Sequence, residues 1–289
     1  MSYTTLISAA ELQALRRTPA PCVLIDVSFD LADTEAGLRS WREAHLPGAH
    51  YLHLEEDLSA AKTDAAGRFR GRHPLPAREH FAALIGALGV TPASQVVVYD
   101  RQGAMVAGRA WWMLRWLGHD AVAVLDGGLA AWVAAGGALE SAAPARPAAA
   151  VPYPLRGSLT ATIDAETLAS RLGRVGLVDA RAGERFRGEV EPLDTKAGHI
   201  PGARNRFFRD NLRADGTFKP ADQLHADFAA VLAGAKPQDA MLQCGSGVTA
   251  CHNALAMEVA GLTGAALYAG SWSEWCSDPA RPVATGPNP

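Results

Sequence analysis

Cysteine is scarce in this chain. Four occur among 289 residues, Cys22, Cys244, Cys251 and Cys276, and none belongs to a Cys-x-x-Cys pair or to a metal-like grouping with histidine. That spacing argues against a disulfide framework and gives no ligand set for a metal, so a reducing, cytoplasmic setting is the expectation. An excess of one charge is lacking too: 27 basic against 30 acidic side chains leave a net charge of −3, which offers no electrostatic footprint for nucleic acid. No apolar run suits a membrane span. Near the N-terminus, Ser8 and Glu11 read as a capping box, and the helix behind them carries Glu11, Arg16 and Arg17 rather than the uninterrupted apolar core of a signal peptide. Apolar residues make up 48% of the chain, enough to bury two cores, and the length exceeds that at which single cores stop growing.

The two halves repeat one another. Val23-Leu24-Ile25-Asp26-Val27 matches Gly176-Leu177-Val178-Asp179-Ala180, and His45-Leu46-Pro47-Gly48-Ala49 matches His199-Ile200-Pro201-Gly202-Ala203. Val97-Val98-Tyr99-Asp100 then matches Met241-Leu242-Gln243-Cys244, and Asp126-Gly127-Gly128 with Trp132 matches Ala269-Gly270-Ser271 with Trp275. Strand-like runs such as Val96 to Tyr99 and Val122 to Leu125 alternate with helical stretches such as Arg78 to Leu88 and Arg109 to Leu117. The expected fold is therefore α/β, with two domains, each a parallel sheet carrying helices on both faces. The stretch around Pro144, Pro147, Pro152 and Pro154 favours extended chain. Domains are expected at 1–140 and 158–289, with a linker at 141–157.

Cys244 opens the segment Cys244-Gly245-Ser246-Gly247-Val248-Thr249, between a short apolar strand and a helix with apolar residues at Ala250, Ala254 and Met257. Two glycines let successive amides turn inward, and the helix start adds unpaired N–H groups and a positive dipole end. A sulfur placed first in such a loop is expected to act as a thiolate nucleophile in an anion cradle. In open sheets ligands bind beyond the carboxyl ends of strands, where Cys244 is placed. A cysteine phosphatase would need an arginine closing the loop, yet Ala250 and Cys251 follow Thr249. A nucleotide phosphate loop would need Gly-Lys-Ser/Thr, which is absent. A small buried cysteine of purely structural use is the bland alternative. Asp100 occupies the cysteine position of the first half, which is expected to be catalytically silent because a carboxylate is no sulfur nucleophile and repels anions.

Together the loop, the paired His-Ile/Leu-Pro-Gly-Ala elements and the Asp-Gly-Gly and Gly-Ser-Trp elements resemble the rhodanese superfamily, specifically its tandem-domain sulfurtransferases, over nearly the whole chain. The loop is similar to the 3-mercaptopyruvate version, since thiosulfate enzymes usually carry basic residues where this chain has Gly245 and Ser246. The resemblance implies two rhodanese-like domains and a Cys244 persulfide. A small anionic donor supplies the sulfur, and a thiol, a small dithiol protein or cyanide accepts it, without metal or organic cofactor. Thiosulfate as donor, or a non-catalytic sulfur-carrier or binding module, are the alternatives. A monomer or weak oligomer is expected.

Ser246 is expected to polarise or protonate the leaving group. Gly245, Gly247, Val248 and Thr249 would line the donor site, and Arg185, placed before Phe-Arg-Gly, would bind the donor's acid group unless it is only a surface arginine. The family's second arginine, expected before Gly-His-Ile-Pro-Gly, is missing from Glu191-Pro192-Leu193-Asp194-Thr195-Lys196, where Lys196 is the available cation. Arg204, Arg206 and Arg209 read as exposed loop residues. His45 has two readings: a turn residue like His199, or, with Asp33 as acid, the histidine of a Ser-His-Asp arrangement that the resemblance implies beside the cysteine. Asp26 and Asp179 read as binders of turn amides. Cys251 reads as packing, and Cys276 as a thiol near the exposed tail, open to slow oxidation.

Overall fold

Short β-branched runs, separated by stretches with three- to four-residue apolar spacing, fold as strands and helices in alternation. The computed structural model describes residues 2–144 and 151–289. Its contacts divide the chain into two units, Met1–Ala60 with Pro76–Leu159 and Ala214–Phe218, and Ala61–Leu75 with Thr160–Arg213 and Lys219–Pro289.

The first unit contains β1 (Leu6–Ile7), α1 (Ala9–Leu15), β2 (Cys22–Asp26), α2 (Ala36–Glu43), β3 (Ala49–Tyr51), α3 (Arg78–Ala87), β4 (Gln95–Tyr99), α4 (Ala107–Trp116), β5 (Val122–Leu125) and α5 (Gly128–Ala134). Its sheet has the order β1-β5-β4-β2-β3, with every pair parallel. Leu24, Val97, Tyr99, Ala123 and Leu125 pack in one cluster with Leu12 of α1 and Trp132 of α5. The alternate strand residues Ile25, Val96, Val98 and Val124 are equally buried. Since successive side chains of a strand point to opposite faces, both faces are covered, as a parallel sheet requires.

The second unit repeats the plan with β6 (Ala161–Ile163), α6 (Ala165–Ser170), β7 (Gly176–Asp179), α7 (Gly183–Phe186), β8 (Arg204–Asn205), α8 (Ala221–Leu232), β9 (Ala240–Gln243), α9 (Thr249–Val259), β10 (Ala266–Tyr268) and α10 (Ser271–Ser277). The order is β6-β10-β9-β7-β8, again all parallel. Leu177, Met241 and Tyr268 meet Leu168 of α6 and Trp272 and Trp275 of α10 on one face. Val178, Leu242 and Leu267 are buried on the other.

Of the segment expected to link the domains, 145–150 lies outside the described residues. From 151 to 158 the chain forms neither helix nor strand and is fastened to the first unit. Tyr153 N donates to Ala82 O at 2.9 Å, Arg156 N to Leu117 O at 3.1 Å, and the Tyr153 hydroxyl lies 3.0 Å from His119 Nδ1. Gly86 of α3 admits this chain, because a Cβ there would stand 2.0 Å from Val151 O.

Cys276 departs from expectation. It is 2% exposed, within the core cluster of Trp272 and Trp275, so its thiol is screened from oxidants rather than offered to them. Cys251 is buried on α9 and its Sγ donates to Gly247 O at 3.3 Å. No helix among the described residues is long and apolar enough to cross a membrane.

Candidate active site

Cys244 stands at the carboxyl end of β9, the central strand of the second sheet. The start of α10 holds its loop from one side. Cys244 N donates to Ser271 Oγ at 3.1 Å, Trp272 N to Cys244 O at 3.0 Å, and Ser273 N to Gly245 O at 2.9 Å. Ser271, which makes the first of these contacts, has a φ of +55°, and the first unit has Gly128 at the matching place with a φ of +57°. Gly247, at φ +78°, turns its N–H onto Cys244 Sγ at 3.1 Å. A Cβ on Gly247 would lie 2.3 Å from Ala269 O, so the close approach as well as the dihedral requires glycine. Val248 is buried behind the loop and Thr249 opens α9. Cys244 itself is 2% exposed, yet its surroundings are polar.

Those surroundings are a ladder of alternating charges. Asp179 accepts from Arg181 Nη2 at 2.7 Å, and Arg181 reaches Glu191 at 3.5 Å. Glu191 takes Arg185 through contacts of 2.7 and 3.0 Å, Arg185 reaches Asp194 Oδ2 at 3.2 Å, and Asp194 Oδ1 pairs with Arg72. Arg181 lies over the Trp272 ring, 4.7 Å from its centroid. Burial works against its charge, but Asp179, Glu191 and the Cys244 sulfur outweigh this and hold the guanidinium above its ordinary range. The far end of the ladder hangs over the cysteine loop. A Cβ added at Gly245 would stand 2.7 Å from Arg72 Nη2 and 3.5 Å from Arg185 Nη1.

Ser246 Oγ lies 2.8 Å from His73 Nδ1, and both side chains are buried. His73 and Arg72 belong to the 61–75 stretch, whose contacts place it in the second unit. Of the two readings of His45, its contacts favour the turn residue over the partner of Ser246. Its Nδ1 donates to Trp41 O at 2.6 Å, its ring stacks on Trp41, and its N–H bonds Glu140 O. His199 does the same with Phe186, Nδ1 to the carbonyl at 2.8 Å and ring on ring at 3.9 Å. Both histidines brace the turns before Pro-Gly. Asp33 is an exposed residue paired with Arg39. Lys196 directs Nζ to Asp278 O at 3.4 Å, and its carbonyl accepts from Trp272 Nε1. Arg204 and Arg209 are exposed, while Arg206 is tied to Asp227 at 2.8 Å. Asp26 and Asp179 do bind turn amides, at Ser28 and Arg181, and each also holds an arginine, Arg101 and Arg181 respectively.

The matching loop of the first unit has a different content. Asp100 accepts from the N–H groups of Gln102, Ala104, Val106 and Ala107 at 2.8 to 2.9 Å. The carboxylate fills the cradle from within.

The profile described as Rhodanese-like domain matches residues 8–135 and 164–278. The chain belongs to the rhodanese-like family. It is 49% identical over 99% of its length to all of a probable 3-mercaptopyruvate sulfurtransferase from Pseudomonas aeruginosa. It is 39% identical over 97% of its length to 97% of SseB, a putative thiosulfate sulfurtransferase from Mycobacterium tuberculosis. The crystal structure of SseA from Escherichia coli, described in terms of 3-mercaptopyruvate sulfotransferases, superposes with a TM-score of 0.74 and 31% identity, covering 94% of this chain and 100% of that one. The protein is thus a tandem-domain sulfurtransferase. Within it, the loop with the cysteine follows the central strand of the second sheet, and the first domain carries the matching loop around Asp100 after its own central strand.

Proposed function

We propose that Cys244 takes sulfur from 3-mercaptopyruvate and hands it to a thiol, a small dithiol protein or cyanide. The observation that carries this choice of donor is the 2.8 Å contact between Ser246 Oγ and His73 Nδ1, two residues beyond the nucleophile. Attack of the Cys244 thiolate on the donor sulfur forms an S–S bond and breaks the bond from sulfur to C3. The electron pair leaves on carbon as the enolate of pyruvate, which must gain a proton. A hydroxyl backed by an imidazole supplies one, a contribution of about 10²–10⁴ in rate for a positioned acid. Sulfite, the leaving group from thiosulfate, departs as a stable anion and needs no such relay.

The persulfide on Cys244 then loses its outer sulfur to the acceptor, whose attack expels the Cys244 thiolate and restores the enzyme. Loop amides preorganised around that sulfur favour its charge without reorganisation. On this reading Arg185 binds the donor's acid group, Gly245 leaves room for it, Gly247 lines the site by turning its amide onto the sulfur, Val248 and Thr249 fix the loop, and the first domain is catalytically silent. No metal or organic cofactor enters. With all four cysteines free, a reducing compartment such as the cytoplasm is the proposed setting.

Thiosulfate is the second reading, supported by the arginines over Gly245, which suit any small anion. The deciding measurement is kcat/KM for the two donors with one acceptor, together with intact mass of the donor-treated protein. A gain of one sulfur atom, lost in Cys244→Ser, and preference for 3-mercaptopyruvate are expected. Preference for thiosulfate would replace the donor assignment, and sulfur transfer by Cys244→Ser at the wild-type rate would end the persulfide mechanism.

A further inference from the structure

We infer that the first unit holds a binding site for a small organic cation bearing an alkylated ammonium group, in the cavity between α2 and β3 with the turn that follows it. The cavity has a volume of about 370 Å³, within the range of small-ligand pockets. Two half-buried rings give it walls, Trp41 from α2 and Tyr51 from β3, with centroids 5.9 Å apart and planes tilted by 36°. His53 adds a third ring, 6.4 Å from that of Tyr51. Glu35, Glu56 and Asp57 supply three carboxylates, and among the described residues no lysine or arginine lines the cavity. All of these residues belong to the unit whose loop carries Asp100, so the site is independent of which donor loads Cys244.

Three observations select the ligand class. The rings are fixed before any ligand arrives. Trp41 Nε1 donates to Ala49 O at 2.9 Å while its ring stacks on His45, and the Tyr51 hydroxyl donates to Ser28 O at 3.1 Å. His53 donates from Nε2 to Thr34 O at 3.0 Å, and its Nδ1 accepts from the N–H groups of Glu55 and Glu56 at 3.2 and 3.3 Å. Aromatic faces held in place attract a cation through their quadrupole without a loss of side-chain freedom. The potential has one sign. Burial holds the Tyr51 hydroxyl protonated well above its ordinary range, and the charges of Asp26, Glu35, Asp57 and Glu56 push the same way. Arg101 answers Asp26 at 2.9 Å, which leaves the other three carboxylates to set the field of the cavity. Finally, the acids do not converge as metal ligands do: among the described residues no three His, Cys, Asp or Glu side chains are grouped to hold an ion. They act across the rings instead. An alkylated ammonium carries its charge under an apolar skin and asks for no hydrogen-bond acceptor, which suits ring faces backed by negative charge.

The test is titration of the intact, isotope-labelled protein with choline, followed by NMR on the indole N–H signal of Trp41, which Trp41→Phe identifies by its loss. The neutral carbon analogue of choline, 3,3-dimethylbutan-1-ol, has the same shape without the charge and is the control. Saturable movement of the Trp41 signal by choline is expected, with the analogue weaker by about tenfold or more. Trp41→Leu should weaken choline by about five- to thirtyfold. The double variant Glu35→Gln/Glu56→Gln changes two exposed residues, and it should weaken choline by about three- to tenfold while leaving the analogue unchanged. Absence of a saturable shift, equal affinity for choline and its analogue, or unchanged choline affinity in the double variant would overturn the site. Saturation by calcium chloride at a lower concentration than choline would overturn it too, by marking the carboxylates as metal ligands. Melting curves show whether Trp41→Leu folds, and where it does not the double variant carries the comparison.

Discussion

Replacing Gly247 by alanine tests whether the loop amide at Cys244 is part of the chemistry. The geometry imposes two costs. A non-glycine residue held at φ +78° costs about 1–2 kcal/mol for its left-handed backbone. The new methyl would stand 2.3 Å from Ala269 O and 3.0 Å from Ala269 C and Cα, a backbone obstacle that no rotamer change relieves, and overpacking of this kind costs about 1–3 kcal/mol. Together these give about 2–5 kcal/mol, or a melting temperature lower by about 5–20 °C for a unit of this size. The loop can escape only by moving the Gly247 N–H, now 3.1 Å from Cys244 Sγ. Loss of one preorganised donor costs about 10²–10³ in kcat. Gly261→Ala is the matched control: it has φ +73°, lies in the same unit, and a Cβ there meets nothing within 4 Å. The assay is the single-turnover rate of sulfur loading, read by mass, beside a thermal melt. If Gly247→Ala loads sulfur as fast as Gly261→Ala, the amide does not serve the reaction. If both melt alike, the contact with Ala269 is not the constraint described.

Three further outcomes are expected. Ser246→Ala and His73→Asn should each lower kcat with 3-mercaptopyruvate by about 10²–10⁴ and leave loading from thiosulfate near wild type, and parallel losses with both donors would remove the proton-relay role. Glu191→Ala should destabilise the protein by about 1–3 kcal/mol in denaturant titrations, because it removes one of the two carboxylates that Arg181 and Arg185 each hold and leaves Asp179 and Asp194 as their remaining partners, and an unchanged midpoint would show Glu191 to be energetically idle. Burial, tempered by Arg16, pushes the Cys22 thiol up to about 11, so near neutral pH it stays protonated and should resist iodoacetamide until the solution approaches that value, and fast labelling of Cys22 at neutral pH would contradict this.

The repeat, the strands and the cysteine loop could be read from sequence because each is a local signal. Val96-Val97-Val98 is a strand in any context that buries it, and glycines beside a cysteine at a strand end say where the backbone must bend. The partners of the loop carry no such signal. His73 meets Ser246 across 173 positions, and Arg72 meets Asp194 across 122. Their segment precedes α3 in sequence, so numbering assigns it to the first domain, whereas its contacts lie in the second. The pairing of His45 with His199 in the repeat did contain the answer for His45, since residues at matching places braced by Trp41 and Phe186 share one structural task. The position of the Arg72 guanidinium near Gly245 was illegible for a different reason. An arginine can be placed by acids as well as found in a motif, and Glu191 and Asp194 are the visible trace of that placement.

The first domain explains what the second one's loop is shaped for. The carboxylate carbon of Asp100 is bonded to Cβ as Sγ is in Cys244, so its two oxygens stand one bond further out, where the outer sulfur of a persulfide would be. Gly103 and Gly247, each three residues beyond, have φ of +70° and +78°, so the two loops bend alike at that point. In the first domain four amides converge on the oxygens. Burial pushes the Asp100 carboxyl upward while those same amides oppose it. On the proposed mechanism, the loop of the second domain is therefore matched to charge one bond beyond Sγ. Such a loop stabilises the loaded enzyme more than the empty one, which draws sulfur from the donor and holds it until an acceptor nucleophile arrives. On the same proposal the duplicated domain would not compete for that sulfur, because the Asp100 carboxylate already accepts the four amides of its own loop.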